Sequence, residues 1–222
     1  MKKVMTAVAA LMLVTVALVA TGFKKNDASI SSVAGGKPSS FVDLGLPSGT
    51  LWAKWNVGAS YPEEVGYSFT WGETKKPKNG KDVEYTRLGQ VLEERDDAAT
   101  ANWGKNWRTP TKEEWDELIR CCSISWTNQG CNVVGRNGNS VFLPCALYWS
   151  ATYVPEWSLG WNPYKMAYEA FVDCRGHHFW AGEKGDGGIP ALGYISDQKC
   201  VRPVLKYTKD EYMMKSIEKQ LE

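Results

Sequence analysis

Apolar and polar positions change pattern repeatedly along this chain, and each change marks an element. Between Lys3 and Lys24 no charged residue occurs. This run is rich in Ala, Val and Thr and ends in the small residues Ala20 and Gly22, which is the layout of a secretory signal peptide over residues 1–22. The polar, small-residue stretch after it, ending in VAGGKPSS, reads as a flexible linker over residues 23–40. Folded sequence starts at Phe41-Val42-Asp43-Leu44. A turn signal, Leu46-Pro47-Ser48-Gly49-Thr50, separates it from Leu51 to Val57, so short strands are predicted on both sides. Residues 74–90 are charged, carry Gly and Pro, show no period and read as a surface loop.

Helical signals come next. Asp96-Asp97 precedes Ala98, Ala99, Ala101 and Trp103 and is closed by Gly104, which predicts a short helix. Thr111 and Glu114 have the spacing of a capping box, and Trp115, Leu118, Ile119 and Cys122 behind them fall on one helical face. Asn137-Gly138, between Cys131–Arg136 and Ser140–Pro144, predicts a tight hairpin whose turn takes two positive φ angles. From Ala146 to Val204 short aromatic β segments (Leu147-Tyr148-Trp149, Ala167–Val172, His178-Phe179-Trp180, Cys200–Leu205) alternate with loops expected over 150–165 and 181–198. In the last stretch Tyr212, Met213, Ile217 and Leu221 predict an amphipathic helix over 206–222.

Composition narrows the function classes. With 26 Lys+Arg against 25 Asp+Glu there is no basic excess to neutralise phosphates, so no nucleic-acid partner is expected. Removing residues 1–22 takes away two lysines and no acids and leaves a balance of −1. The apolar run is also just long enough to serve as a retained membrane anchor; with it cleaved as a signal peptide, the chain has no stable membrane span and is expected in the periplasm, at the cell surface or secreted. Export favours disulfides among the six cysteines, all in the second half of the chain. The spacing selects none of the fifteen pairings. One arrangement splits Cys121 and Cys122 between Cys131 and Cys200 and joins Cys145 to Cys174; the alternative is that some of the six are buried free thiols.

Several strings together resemble a known family. FVDLGLPSGTLWAKWNVGAS, GYSFTWGET, Asp97 to Trp115, Asn137 to Pro144, Tyr148-Trp149-Ser150 and Val201-Arg202-Pro203-Val204 are similar to the Fibrobacter succinogenes major paralogous domain family, found in exported proteins of the Bacteroidota. The resemblance covers residues 41–205. It implies an α+β, C-type-lectin-like fold: a small twisted antiparallel sheet, two helices and long irregular loops. The wider superfamily includes formylglycine-generating enzymes, true C-type lectins and protein binders, so fold alone does not decide activity. The R-G-G-S-W and N-x-x-E-W segments and the close cysteine pair of those enzymes are absent from this sequence, which argues against catalysis of that type. E-P-N, Q-P-D and W-N-D are absent too. No cofactor is implied, and calcium has no signature, although Glu156, Glu169, Asp173, Glu183, Asp186 and Asp197 are scattered through the loop region.

The candidate site follows from the 11 tryptophans. Trp52, Trp55, Trp71, Trp103, Trp107, Trp115 and Trp149 lie in motifs that the resemblance assigns to the core, and Trp126 is unassigned, in a loop after the second helix. Trp157, Trp161, Tyr164 and Trp180 lie in or beside the Gly/Pro-rich loops, near Asn162, Arg175 and His177. Flat apolar faces beside polar groups suit sugar stacking or protein binding. The expectation is therefore an exported, non-catalytic domain that presents loops 150–198 to a glycan or a surface protein. His177 and His178, if on a strand, point to opposite faces, one exposed and one packed, and make no metal pair. Alternative readings are a structural or adhesive subunit docking through the C-terminal helix and a diversified recognition surface. An enzyme comes last.

Overall fold

The structure, a computed structural model, describes residues 40–75, 91–155, 165–182 and 190–221. The expected signal peptide, nearly all of the linker and most of the 74–90 loop lie outside the described residues. The described chain is α+β and mostly strand. In order it contains β1 (Phe41–Asp43), β2 (Leu51–Ala53), β3 (Ser68–Thr70), α1 (Ala98–Trp103), β4 (Trp107–Arg108), α2 (Lys112–Cys121), β5 (Ser123–Trp126), β6 (Gly130–Val134), β7 (Ser140–Pro144), β8 (Ala146–Val154), β9 (Met166–Asp173), β10 (His178–Ala181), β11 (Leu192–Tyr194), β12 (Gln198–Cys200), β13 (Val204–Leu205) and α3 (Lys209–Leu221).

Three sheets result: β1-β2-β13-β4, then β10-β9-β8-β12-β3 with β11 also on β9, and β5-β6-β7. Pairing is antiparallel except where β12 meets β8 at Cys200 and Tyr148. Trp115 of α2 sits at the centre of the core. Its ring meets Trp52 edge-on at 4.8 Å, packs against Tyr148 at 5.6 Å and Phe179 at 6.1 Å, and its indole N–H donates to the Trp149 carbonyl. Buried Arg202 ties the sheets together by donating to Asn56 Oδ1 and to the carbonyls of Ala53 and Phe142 at 2.8–3.0 Å. Burial lowers its pKa to about 10 even so.

Local signals explain both short helices. Asp97 caps α1, with Oδ1 accepting the N–H groups of Ala99 and Thr100, while Oδ2 accepts the N–H of Thr109 beside β4. The capping box of α2 is present: Thr111 Oγ1 accepts from the Glu114 N–H and Glu114 Oε2 from the Thr111 N–H. Glu114 also takes a two-pronged contact from the Arg108 guanidinium, both bonds at 2.6 Å.

Several expectations are corrected. The hairpin turn at Asn137-Gly138 has a positive φ only at Gly138 (84°). The Gly135 N–H donates to the Asn139 carbonyl and the Gly138 N–H to the Gly135 carbonyl, which is a type I turn closed by a glycine bulge. Asn137 instead uses its side-chain amide to donate to the Asp43 carbonyl. Trp126, placed in a loop by the sequence, is the last residue of strand β5. The expected loop 150–165 begins with five residues of β8, and the expected loop 181–198 contains β11 and the start of β12. Ser40 belongs to the domain and not to the linker, since it is buried and its carbonyl accepts from the Lys54 N–H.

Of the three disulfides in that arrangement, Cys145–Cys174 is present, with Cα atoms 5.8 Å apart. Cys121, Cys122, Cys131 and Cys200 are free thiols. The strand register explains this: Ser123 lies opposite Val134 and Trp126 opposite Cys131. Cys122 is thus four positions along the ladder from Cys131's partner, about 13 Å, where a disulfide needs Cα atoms about 5.5–6 Å apart. Cys200 lies in another sheet, against Ser68 and Tyr148. Burial pushes the Cys131 thiol up to about 12 and the Cys122 thiol up to about 11.

The seven tryptophans assigned to the core divide. Trp52, Trp71, Trp107, Trp115 and Trp149 are fully buried. Trp55 and Trp103 are half-buried and continue an edge-to-face ladder onto Trp107, with centroids 6.5 and 5.0 Å apart. In the C-terminal helix the first turn docks. Tyr212 is buried against Phe41 at 5.4 Å, whereas Met214, Ile217 and Leu221 are exposed. Among the described residues, no helix is long and apolar enough to cross a membrane.

Candidate functional site

The turn between β9 and β10 brings the predicted polar residues together. Along β9, Ala170 and Val172 are buried in the core, so Phe171 and Asp173 project from the opposite face of the sheet. Register carries that face across three strands, with Leu147 opposite Phe171 and Phe171 opposite Trp180. The result is a cross-strand apolar row in which Leu147 is exposed and Phe171 and Trp180 are half-buried. Trp180 lies 5.3 Å from the Phe171 ring and 5.1 Å from the His178 imidazole, with which it is nearly parallel at 27°.

Beyond the last pair, His178 with Asp173, the chain turns through Cys174, Arg175, Gly176 and His177. Asp173 shapes this turn from within, its Oδ1 accepting the Arg175 N–H at 2.9 Å and its Oδ2 the Gly176 N–H at 3.2 Å. A side chain at Gly176 would collide with the His178 ring and the Asp173 carboxylate. His177 takes φ 54°, the one non-glycine residue in the left-handed region among the described residues. Its imidazole lies flat on the Trp126 indole, with centroids 5.5 Å apart and planes 15° apart.

Two covalent and polar ties hold the turn in place. The Cys145–Cys174 disulfide fastens it to the start of β8, and the Cys145 N–H donates to the Gln129 carbonyl in the β5–β6 turn. The β5–β6 turn beside Trp126 and the turn carrying His177 therefore share one anchor.

Of the residues singled out in the sequence, Arg175, His177 and Trp180 share this hairpin end, and Trp157, Trp161, Asn162 and Tyr164 lie outside the described residues. The two histidines do not divide into one exposed and one packed. Both are exposed, because His177 is in the turn and not on a strand, and each stacks on a tryptophan. Trp126, Phe171 and Leu147 were missed as site residues. For Trp126 the period-two alternation Ser123-Ile124-Ser125-Trp126 places it with Ile124 on the half-buried face packed against the core, so the sequence carries no signal for its contact with His177.

Among the described residues, the scattered acids are engaged within the fold. Glu169 and Asp197 both pair with the buried Lys199, at 2.8 and 3.2 Å, and Lys199 lies 4.8 Å above the Trp149 ring. Asp173 is occupied by the turn, and Glu156, Glu183 and Asp186 lie outside the described residues. Among the described residues, no three His, Cys, Asp or Glu side chains are placed to hold a metal ion.

Comparisons with protein-family models, with curated proteins and with solved structures found no match.

Proposed function

We propose that this chain is an exported, non-catalytic binding protein of C-type-lectin-like fold that engages a glycan or a surface protein through the β9–β10 hairpin end. The observation that carries the reading is the outward row of Leu147, Phe171 and Trp180 beside the paired stacks of Trp180 with His178 and Trp126 with His177. Flat aromatic faces give contact area at low entropic cost, and the neighbouring ring nitrogens and guanidinium orient a ligand. The fold assignment rests on the sequence resemblance, with which the α+β architecture is compatible, and export rests on the apolar leader. Trp180→Ala should lower capture on glycan and protein arrays by at least about tenfold, the scale of a binding hot spot, while the thermal melt shifts little. Capture unchanged in that variant would place the site elsewhere.

One observation favours a second reading, a subunit that docks through its C-terminal helix. Met214, Ile217 and Leu221 are 58%, 47% and 82% exposed at i, i+3 and i+7, an apolar stripe that the domain leaves uncovered. Met214→Glu with Ile217→Glu leaves the docked Tyr212 intact. If the helix holds an assembly together, size-exclusion chromatography should show the assembly lost in this variant; a wild-type monomer removes this reading.

A further inference from the structure

The polar groups at the hairpin end narrow the ligand's chemistry, taking the binding reading above as given. Arg175 is exposed, and its guanidinium has no partner among the described residues. Among the described residues of this region, the carboxylates of Glu169, Asp173 and Asp197 are engaged. Both oxygens of Asp173 accept backbone N–H groups of the turn, and Glu169 and Asp197 are held by Lys199. The described part of this surface therefore presents a cation and two imidazoles but no free carboxylate. Arg175 thus lies at the same hairpin end as the outward Phe171 and Trp180.

Dimensions decide how large the ligand is. Trp180 sits two residues along β10 from the His178–Asp173 pair, about 7 Å at strand rise, and Arg175 lies beyond that pair in the turn. A single ring does not reach both, whereas a short chain of rings does. A ligand that packs a ring on the exposed part of the His178–Trp180 stack and extends toward the turn brings its next substituents to Arg175, where a carboxylate or sulfate forms charge-assisted hydrogen bonds with the guanidinium fork.

We propose that the β9–β10 hairpin end selects an acidic oligosaccharide, a chain of sugar rings bearing carboxylate or sulfate groups, with a ring on Trp180 and an anion on Arg175. The test is calorimetric titration of the full chain with three ligands of matched length: an oligogalacturonate, a sulfated dextran oligomer and the neutral dextran oligomer. At least one acidic ligand should bind about tenfold more tightly than the neutral one, the scale of a charge-assisted contact. Arg175→Gln should abolish that preference and leave the residual neutral affinity in place. Comparing the two acidic ligands separates the two anions, and Arg175→Lys should weaken whichever one is preferred, because the planar fork grips either anion with two bonds and an ammonium does not. Equal affinity for acidic and neutral chains, or an acidic preference that survives Arg175→Gln, overturns the inference while leaving glycan binding intact. If no sugar binds at all, the inference falls; glycan binding falls with it, and a protein ligand of the same surface is what remains. Trp180→Ala should weaken all three ligands together, and circular dichroism of each variant confirms the fold.

Discussion

At the scale of single residues, Asp97 and the free thiols give the sharpest expectations. Asp97 accepts four hydrogen bonds while 2% exposed, one of them from the Thr109 hydroxyl. Asp97→Ala should cost about 3 kcal/mol by urea unfolding, the loss of a helix cap plus buried donors left unpaired. Burial outweighs the Thr109, Thr100 and Ala99 donors and raises the Asp97 pKa above its ordinary value of 3.8. The folded chain thus holds this proton more tightly than the unfolded one, so the proton's contribution is full below about pH 3.8 and fades as pH rises through the raised folded value. Urea unfolding from about pH 3.5 upward should show that decline in the wild type and a flatter profile in Asp97→Asn. Cys131 and Cys200 are buried thiols whose pKa values burial raises. Native protein at about pH 8 should therefore resist iodoacetamide at both positions and react only once unfolded, as peptide mass spectrometry would show.

At the scale of elements, what the sequence made legible was whatever a residue settles with its near neighbours. Thr111 and Glu114 are three residues apart and satisfy each other, so α2 is readable with its cap and buried face; Asp97 does the same for α1. Strand β5 was not readable as a strand, because SISW is short and its partner is set by the register of β6. The turn at Asn137-Gly138 was misread in type for a related reason, since Asn137 is drawn to the Asp43 carbonyl, which only the tertiary fold brings near. The site is legible to the same extent. Arg175, His177 and Trp180 are close in sequence and were found, whereas Trp126 comes from about 50 residues earlier and stacks on His177 only through the shared anchor at Cys145. That anchor is a testable element. The disulfide closes a separation of 29 residues, worth about 3–4 kcal/mol in the chain-entropy account. Cys145→Ser with Cys174→Ser should lose about that stability in urea unfolding. It should also weaken ligand capture beyond what the remaining folded fraction explains, since the β5–β6 turn beside Trp126 and the His177 turn would no longer be held together.

At the scale of the whole molecule, the tryptophans serve two ends. Five are buried as the centre and seam of the sheets, and their replacement should unfold the chain, whereas Trp126 and Trp180 lie half-covered at one end. Arg202 joins β2, the loop after it and β7, a role that no local pattern predicts because its three acceptors come from residues 53, 56 and 142. The way the sheets close has a further consequence. Strand β2 pairs through Trp52 with Val204 on β13, about 150 residues later, and β3 and β8 both wait for β12. A chain growing from its N-terminus therefore cannot complete two of its three sheets until nearly the last residue of the domain has emerged. Such a chain stays threadable until late, which is what passage through a membrane channel before folding requires.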